Sequence, residues 1–368
     1  MNCKTAFVTF FPIIPNNMGS STVVNSRFKS WPKSKKIFQI SHVKKLENNS
    51  LSTIYINKES PIRKILKLPK LIFEVFTYLK KSKKKILLVE GASWIFYSFF
   101  TIFFIKIILP DCKIIYISHS IESEIRKKYS NYLVYLLTKI LEYFVFKISD
   151  LSTAVSNDEK IKIKKLYNKT TKLYPNAINL EKFKFKKEKI KDFIIYTGSY
   201  LYKPNKEAID FLNNDIMPNL VKKFPNLKLV ITGGGFNQKF PWIINKGIVS
   251  KSNLYNLIYN SKCMCVPLKF GSGTRIKIIE ALSLGVIVVS TSKGIEGIKL
   301  NSKNPPFISN SKKSFIISLT KIIKNNKKIK QKAKKECKNY KSLYSMKNIT
   351  KKFIDTNLRN YLNEYKKI

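Results

Sequence analysis

The residues best suited to chemistry lie in one short stretch, Phe270-Gly-Ser-Gly-Thr-Arg-Ile-Lys-Ile-Ile-Glu280. A strand-like run, 263–267, precedes it and a helix-like run, 275–284, follows. Gly271 and Gly273 let backbone N–H groups approach an anion closely. The opening turn of a helix adds partial positive charge at the same place. Arg275 and Lys277 add full charges suited to a diphosphate. Glu280, one and a half turns further on, suits the hydroxyls of a sugar or ribose. The plain alternative is a tight turn entering an ordinary helix. No Walker loop and no G-x-G-x-x-G occurs, which removes the commonest kinase, ATPase and dinucleotide readings.

Composition sharpens the weight on Arg275. The chain has 368 residues, 70 basic against 22 acidic, for a net charge of +48. Only five of the 70 are Arg: Arg27, Arg63, Arg126, Arg275 and Arg359. Lys, Asn and Ile abound throughout, so most of the charge reads as a solvated surface rather than one basic site. An Arg kept in such a chain marks a place where a planar bidentate fork is needed. Two His and five Cys without a C-x-x-C pair leave little for a metal centre or a disulfide framework. No Asp-x-Asp occurs, so no metal and no other cofactor is expected.

These residues need a scaffold of parallel sheets. Short apolar, β-branched runs recur at 6–11, 37–40, 54–56, 86–89, 114–117 and 151–155, with helix-like stretches such as 71–80, 95–109 and 132–147 between several of them. The pattern restarts with strand-like runs at 193–196, 227–232, 246–249, 263–267 and 286–290, separated by helical stretches that include 206–224. Continuous rather than alternating hydrophobicity predicts strands covered on both faces. Two such series predict an α/β chain of two doubly wound Rossmann-like domains facing across a cleft, with ligands at the carboxyl ends of the strands. His119 ends one of those strands. The longest apolar run, 94–109, is interrupted by Lys106 and falls short of the roughly 20 residues of a spanning helix. The N-terminus has no small-residue cleavage site and reads as no signal peptide, so a cytoplasmic location is expected. Cys263 and Cys265 share one strand face and read as buried small hydrophobes.

The run from Gly271 to Ile298 resembles the donor-binding signature of family 4 glycosyltransferases, the retaining enzymes of GT-B fold, in a form reading G-S-G-T-R-x-K-x-x-E. Three further segments are similar to that family in the same order: Tyr174-Pro-Asn-Ala-Ile-Asn with Phe183, Tyr196-Thr-Gly-Ser-Tyr-Leu-Tyr-Lys-Pro-Asn205, and Leu227-Lys-Leu-Val-Ile-Thr-Gly-Gly234. The resemblance implies an acceptor-binding domain over 1–178, a linker over 179–192 and a nucleotide-sugar-binding domain over 193–350. A C-terminal helix, 351–368, would return to the first domain. It implies donor contacts from Gly19, Gly198, Lys203, Gly271, Ser272, Gly273 and Thr274. It assigns catalytic roles to His119, Arg275, Lys277 and Glu280. Glu90, at the end of the run 86–89, and Glu122, just after His119, are candidates for the acceptor side by their position. Two features depart from the family. Ser272 stands where many members carry the first of two glutamates, and Ser199 where many carry an Arg.

The expected activity is transfer of a sugar from a nucleotide-sugar to a saccharide or lipid-linked acceptor, with retention at the anomeric carbon, in surface polysaccharide or glycolipid synthesis. A nucleotide-sugar epimerase of the same fold is one alternative, and it needs acid/base carboxylates that the sequence does not locate. A basic nucleic-acid-binding protein is another. Its Lys residues would form one strip with interleaved aromatics, whereas here they are spread over both halves. No nucleic acid is therefore expected as a partner. The segment 61–85 interleaves nine basic residues and one acid with apolar positions. It reads either as a core-facing helix with a Lys fringe or as a segment resting on the cytoplasmic face of an anionic membrane.

Overall fold

A computed structural model describes residues 3–14, 19–32, 34–43, 50–180, 185–186, 188–271, 273–300 and 306–363. The chain forms two compact units. The first takes 1–179, 272–274 and 346–368; the second takes 180–271 and 275–345.

The first unit holds a seven-stranded sheet of order β3-β2-β1-β4-β5-β6-β7. Its strands are β1 (Cys3–Thr9), β2 (Lys35–Ser41), β3 (Leu51–Tyr55), β4 (Lys84–Gly91), β5 (Lys113–Ser118), β6 (Leu151–Ala154) and β7 (Lys172–Leu173). Every pairing is parallel. Runs such as Ile86-Leu-Leu-Val89 are buried on both faces, as a sheet covered by two helix layers requires. From β1 the chain steps to β2 and β3, then crosses back to β4 and continues to β7. Right-handed crossovers therefore put α1 (Gly19–Ser30) on one face. They put α2 (Pro61–Lys80), α3 (Ile95–Ile108) and α5 (Tyr132–Ile148) on the other. The short α4 (Glu122–Tyr129) precedes α5, and α6 (Asn157–Tyr167) links β6 to β7. The order reverses between β1 and β4, and the carboxyl ends there form the switch point where such sheets present ligands.

The chain's last helices belong to this unit. The Tyr174 ring stacks on Phe353 of α13 (Met346–Asn357) at 4.2 Å, and the Tyr174 and Thr350 hydroxyls hydrogen-bond at 2.9 Å. In α14 (Arg359–Asn363), the Tyr361 hydroxyl donates to the Lys85 carbonyl at 3.0 Å.

The second unit holds a six-stranded parallel sheet of order β10-β9-β8-β11-β12-β13. Its strands are β8 (Phe193–Thr197), β9 (Lys228–Thr232), β10 (Ile243–Asn245), β11 (Met264–Val266), β12 (Val288–Ser290) and β13 (Phe307–Ile308). Its switch point lies between β8 and β11. The helices are α7 (Lys203–Phe211), α8 (Met217–Val221), α9 (Lys251–Asn260), α10 (Ile276–Ser283), α11 (Lys312–Lys324) and α12 (Asn326–Leu343).

Two expectations change in detail. The helix expected over 206–224 begins at Lys203 and carries a π-helical turn, Leu212–Ile216, ahead of α8. Pro218 lacks an N–H and crowds the carbonyl four residues earlier, and a wider turn accommodates both defects. The strand expected over 246–249 instead ends at Asn245. Gly247 takes φ +58° and its N–H donates to Asn245 Oδ1 at 2.9 Å, which turns the chain out of the sheet.

Candidate active site

In the first unit the polar residues at the switch point form a closed cluster. His119 follows β5 directly and its Nε2 lies 2.6 Å from Glu90 Oε2 at the end of β4. Arg27, from the third turn of α1, donates Nη1 to the same oxygen at 2.5 Å. The Arg27 guanidinium also lies 4.6 Å over the Tyr174 ring. Arg27 and Glu90 are wholly buried and His119 nearly so. Burial alone would push the Glu90 carboxyl up, but Arg27 and His119 hold it below its ordinary value. Burial alone would likewise lower Arg27, and the facing carboxylate outweighs it and raises the group instead. With Glu90 ionised, the His119 Nε2–H is the donor, and the carboxylate fixes the ring's tautomer.

This geometry changes the reading of two acceptor-side residues. Glu90 is enclosed between two donors, so it positions His119 rather than meeting an acceptor. Glu122 opens α4 and is also buried. Its Oε2 accepts from the Ile95 N–H at the start of α3 (2.7 Å), and its Oε1 accepts from Arg126 at 2.8 and 3.1 Å. Burial pushes its carboxyl up to about 7 despite Arg126. Glu142 sits behind it, accepting the backbone N–H groups of Glu122 and Ser123 and the Tyr167 hydroxyl. These carboxylates serve helix N-termini inside the unit.

Gly19 opens α1 and is exposed; the loop residues 15–18 before it lie outside the described residues. Gly273 and Thr274 also group with the first unit. The Gly273 N–H donates to Glu159 Oε1 at 2.9 Å, so this amide is committed to a carboxylate. Its φ is +78° and a Cβ there would meet the His119 carbonyl oxygen at 2.4 Å, which makes glycine obligatory. The Thr274 Oγ1 is buried without a hydrogen-bond partner. Ser272 lies outside the described residues.

In the second unit, Arg275 stands at the N-cap position of α10 without a side-chain capping bond, and its Nη2 donates to the Gly271 carbonyl at 2.9 Å. Lys277 points at the end of β8. Its Nζ donates to the Tyr196 hydroxyl and to Asn205 Oδ1, both at 3.1 Å, and lies 4.2 Å over the Tyr196 ring. The Tyr196 hydroxyl donates to Asn205 Oδ1 at 2.7 Å. Asn205 in turn donates Nδ2 to the Ser199 carbonyl at 3.0 Å. The stem of Lys277 is half-buried, but its ammonium is packed within protein. Burial, and then the neighbouring Arg275 charge, lower it to about 7; Glu280 opposes them only in part.

Gly198, the residue after β8, has φ +145°, and a Cβ would meet the Asn205 amide at 2.7 Å. It is what lets Asn205 reach Lys277. Lys203 opens α7 and is exposed. Glu280 is buried in α10, where its Oε1 accepts from Lys251 of α9 and from the Tyr255 hydroxyl (3.2 Å).

The second unit thus joins two adjacent cations at a helix start, an arrangement that binds a multiply charged anion. The first unit offers a buried, oriented imidazole. Sequence reasoning did not single out Glu90 as the partner of His119, nor Tyr196, Asn205, Lys251 and Tyr255. Arg27 did carry a signal, as one of five Arg in a Lys-dominated chain. Among the described residues no group of three or more His, Cys, Asp or Glu is placed to hold a metal.

Residues 191–325 match the family described as glycosyl transferases group 1. A curated relative, an uncharacterized 44.6 kDa protein in the cps region of Klebsiella pneumoniae, is 26% identical over 151 residues. That match covers 37% of this chain and 39% of the relative. Among solved structures, sucrose-phosphate synthase from Thermosynechococcus elongatus superposes with a TM-score of 0.75 at 11% identity, over 98% of this chain and 99% of that one. HepE of Anabaena, solved with UDP and glucose, superposes with a TM-score of 0.71 at 12% identity, over 96% and 99%. Likenesses at this identity establish the shared fold.

Proposed function

Because residues 191–325 match the glycosyl transferases group 1 family, we propose that the chain is a GT-B glycosyltransferase. It moves a sugar from a nucleotide-sugar to a saccharide or lipid-linked acceptor, with retention, in the synthesis of a surface polysaccharide or glycolipid. The observation that carries this reading is that Arg275 and Lys277 lie within Coulombic reach of each other at the start of α10, inside the matched segment.

The physics follows from that pair. Breaking the bond to the sugar builds negative charge on the departing diphosphate. Arg275, Lys277 and the first amides of α10 are in place before the charge develops, so they stabilise it without reorganising. Glu280 takes hydroxyls of the donor, with Lys251 and Tyr255 fixing its carboxylate. Gly198, Lys203 and Gly271 complete the contacts of the second unit to the donor. The first unit takes the acceptor, and His119, oriented by Glu90, is its catalytic group. Charge stabilisation by cationic side chains makes a metal unnecessary. A structure solved with UDP and glucose on the same fold supports a nucleotide-sugar donor.

Hydrolysis of UDP-, GDP- and ADP-sugars in the absence of acceptor, run with and without EDTA, tests this. One donor should be cleaved to nucleoside diphosphate and free sugar, equally in both buffers. Loss with EDTA that Mn²⁺ restores would refute metal independence. Release of an epimerised sugar would instead favour the epimerase. The buried commitments of Glu90 and Glu122 speak against that outcome, since each carboxylate already holds protein donors.

A further inference from the structure

The helix layer α2-α3-α5 of the first unit is apolar on the wrong side. In α5 the inner face is buried, with Leu141, Val145 and Phe146 on the sheet. The outer face repeats at helical spacing as well, through Leu133, Leu137, Ile140 and Phe144, and all four are exposed. In α3 Phe104 and Ile107 are exposed in the same way. The two outer faces join, because Phe99 of α3 lies 6.2 Å from Phe144 of α5. Eleven large apolar side chains on these two helices are between 38% and 75% exposed. Together they present on the order of 1,000 Å², above the roughly 300–600 Å² patch of an ordinary monomer. Ile62, Leu66 and Phe73 of the adjoining α2 are more than 60% exposed and fall on one stripe.

Charge identifies what covers this face. The three helices carry eight basic residues against two acids, and one of those acids, Glu142, is buried. Lys147 Nζ lies over the Tyr143 ring at 5.5 Å, a long cationic side chain laid along the apolar surface. A second copy would set like charge against like charge. Neither helix is long and apolar enough to cross a bilayer. We propose that the outer face of α3 and α5, continued by the stripe on α2, docks on an anionic lipid bilayer. The aromatic and aliphatic side chains enter the acyl boundary and the lysines engage the headgroups. The inference does not depend on the donor reading. It replaces the basic segment 61–85 as the main contact, leaving α2 as one edge of a wider face.

Flotation of the full chain with vesicles of phosphatidylcholine, with and without phosphatidylglycerol, tests it. The wild type should float with the anionic vesicles and be released in part by salt, as screening within a Debye length of ~8 Å demands. Ile107→Gln with Leu133→Gln should weaken flotation about tenfold, since each side chain removes part of a buried aliphatic group. These side chains are exposed, so the melting temperature should not change. Lys139→Gln with Lys147→Gln should lose only the preference for anionic vesicles. Undiminished flotation of the Ile107/Leu133 variant overturns the proposal, as does a wild type that binds neither vesicle. Sedimentation gives a separate refutation, if the wild type is a dimer and that variant a monomer that never binds lipid. Nucleotide-sugar hydrolysis in solution should be equal in all three proteins, which separates failure here from failure of the donor reading.

Discussion

Arg27–Glu90–His119 and Arg275–Lys277–Glu280 occupy equivalent places in two sheets of the same kind, and their charges are arranged in opposite ways. In the first unit one buried carboxylate lies between a guanidinium and an imidazole, and each charge answers another. In the second unit two cations are neighbours, and Glu280 on the same helix is held by Lys251 and Tyr255. The first arrangement pairs its charges on one oxygen, Glu90 Oε2, and fixes a geometry, while Glu90 Oε1 and Arg27 Nε and Nη2 stay buried without hydrogen-bond partners. The second sets two like charges close together at a helix start, where an arriving anion would meet both.

Removing a charge should therefore have opposite consequences in the two places. Glu90→Ala leaves Arg27 buried without its counter-charge and should cost about 3–5 kcal/mol in chemical denaturation, as breaking one side of a buried pair does. Lys277→Met should leave stability at pH 7 unchanged or higher. It relieves the repulsion from Arg275, keeps the apolar stem, and leaves the Tyr196–Asn205 bond intact. A loss of several kcal/mol there would break the comparison. Next in size, Arg275→Ala should lower kcat/KM for the donor by roughly 10²–10³, the cost of removing one key donor to developing charge. Arg275→Lys should recover only part of that loss, because it keeps the charge and loses the fork.

The third effect is a pH dependence. In the free protein Lys277 loses its proton near 7, so kcat/KM for the donor should fall above that value by at most about tenfold per unit. The Lys277→Met profile should lack this limb. The stability sign is separate. Between about 7 and the ordinary Lys value of 10.5 the unfolded chain binds a proton that the folded chain lacks. Stability from this residue therefore rises with pH across that window. The smallest effect belongs to Glu280→Gln, which removes uniform binding of donor hydroxyls. It should raise the donor KM several-fold to about tenfold with little change in kcat.

The parallel sheets were legible because continuous runs such as 86–89 and 193–196 admit only strands covered on both faces. The short edge strands β7 and β13 were not, since two residues carry no period. Arg275, Lys277 and Glu280 could be picked out because they stand on one motif beside glycines. Asn205 and Tyr196 could not, because their meeting with Lys277 depends on β8 and α10 being brought together across the switch point. Arg27 lies 63 residues from Glu90, and only the scarcity of Arg in a Lys-rich chain hinted at it. The outer face of α5 escaped notice for a different reason. A helix apolar all round reads as buried, and exposure is a property of the packed layer, not of the sequence.

The central claim is that Arg275 and Lys277 together bind the donor's diphosphate. Calorimetric titration of UDP, GDP and ADP at pH 8, in two buffers of different ionisation enthalpy, tests it most directly. One nucleotide should bind with uptake of a proton, because its charge restores the ammonium of Lys277. Lys277→Met should bind more weakly and take up none, and Arg275→Ala should bind weakly at best. If no nucleotide binds, or if one binds to wild type and both variants alike with no proton uptake, the account of this site is wrong.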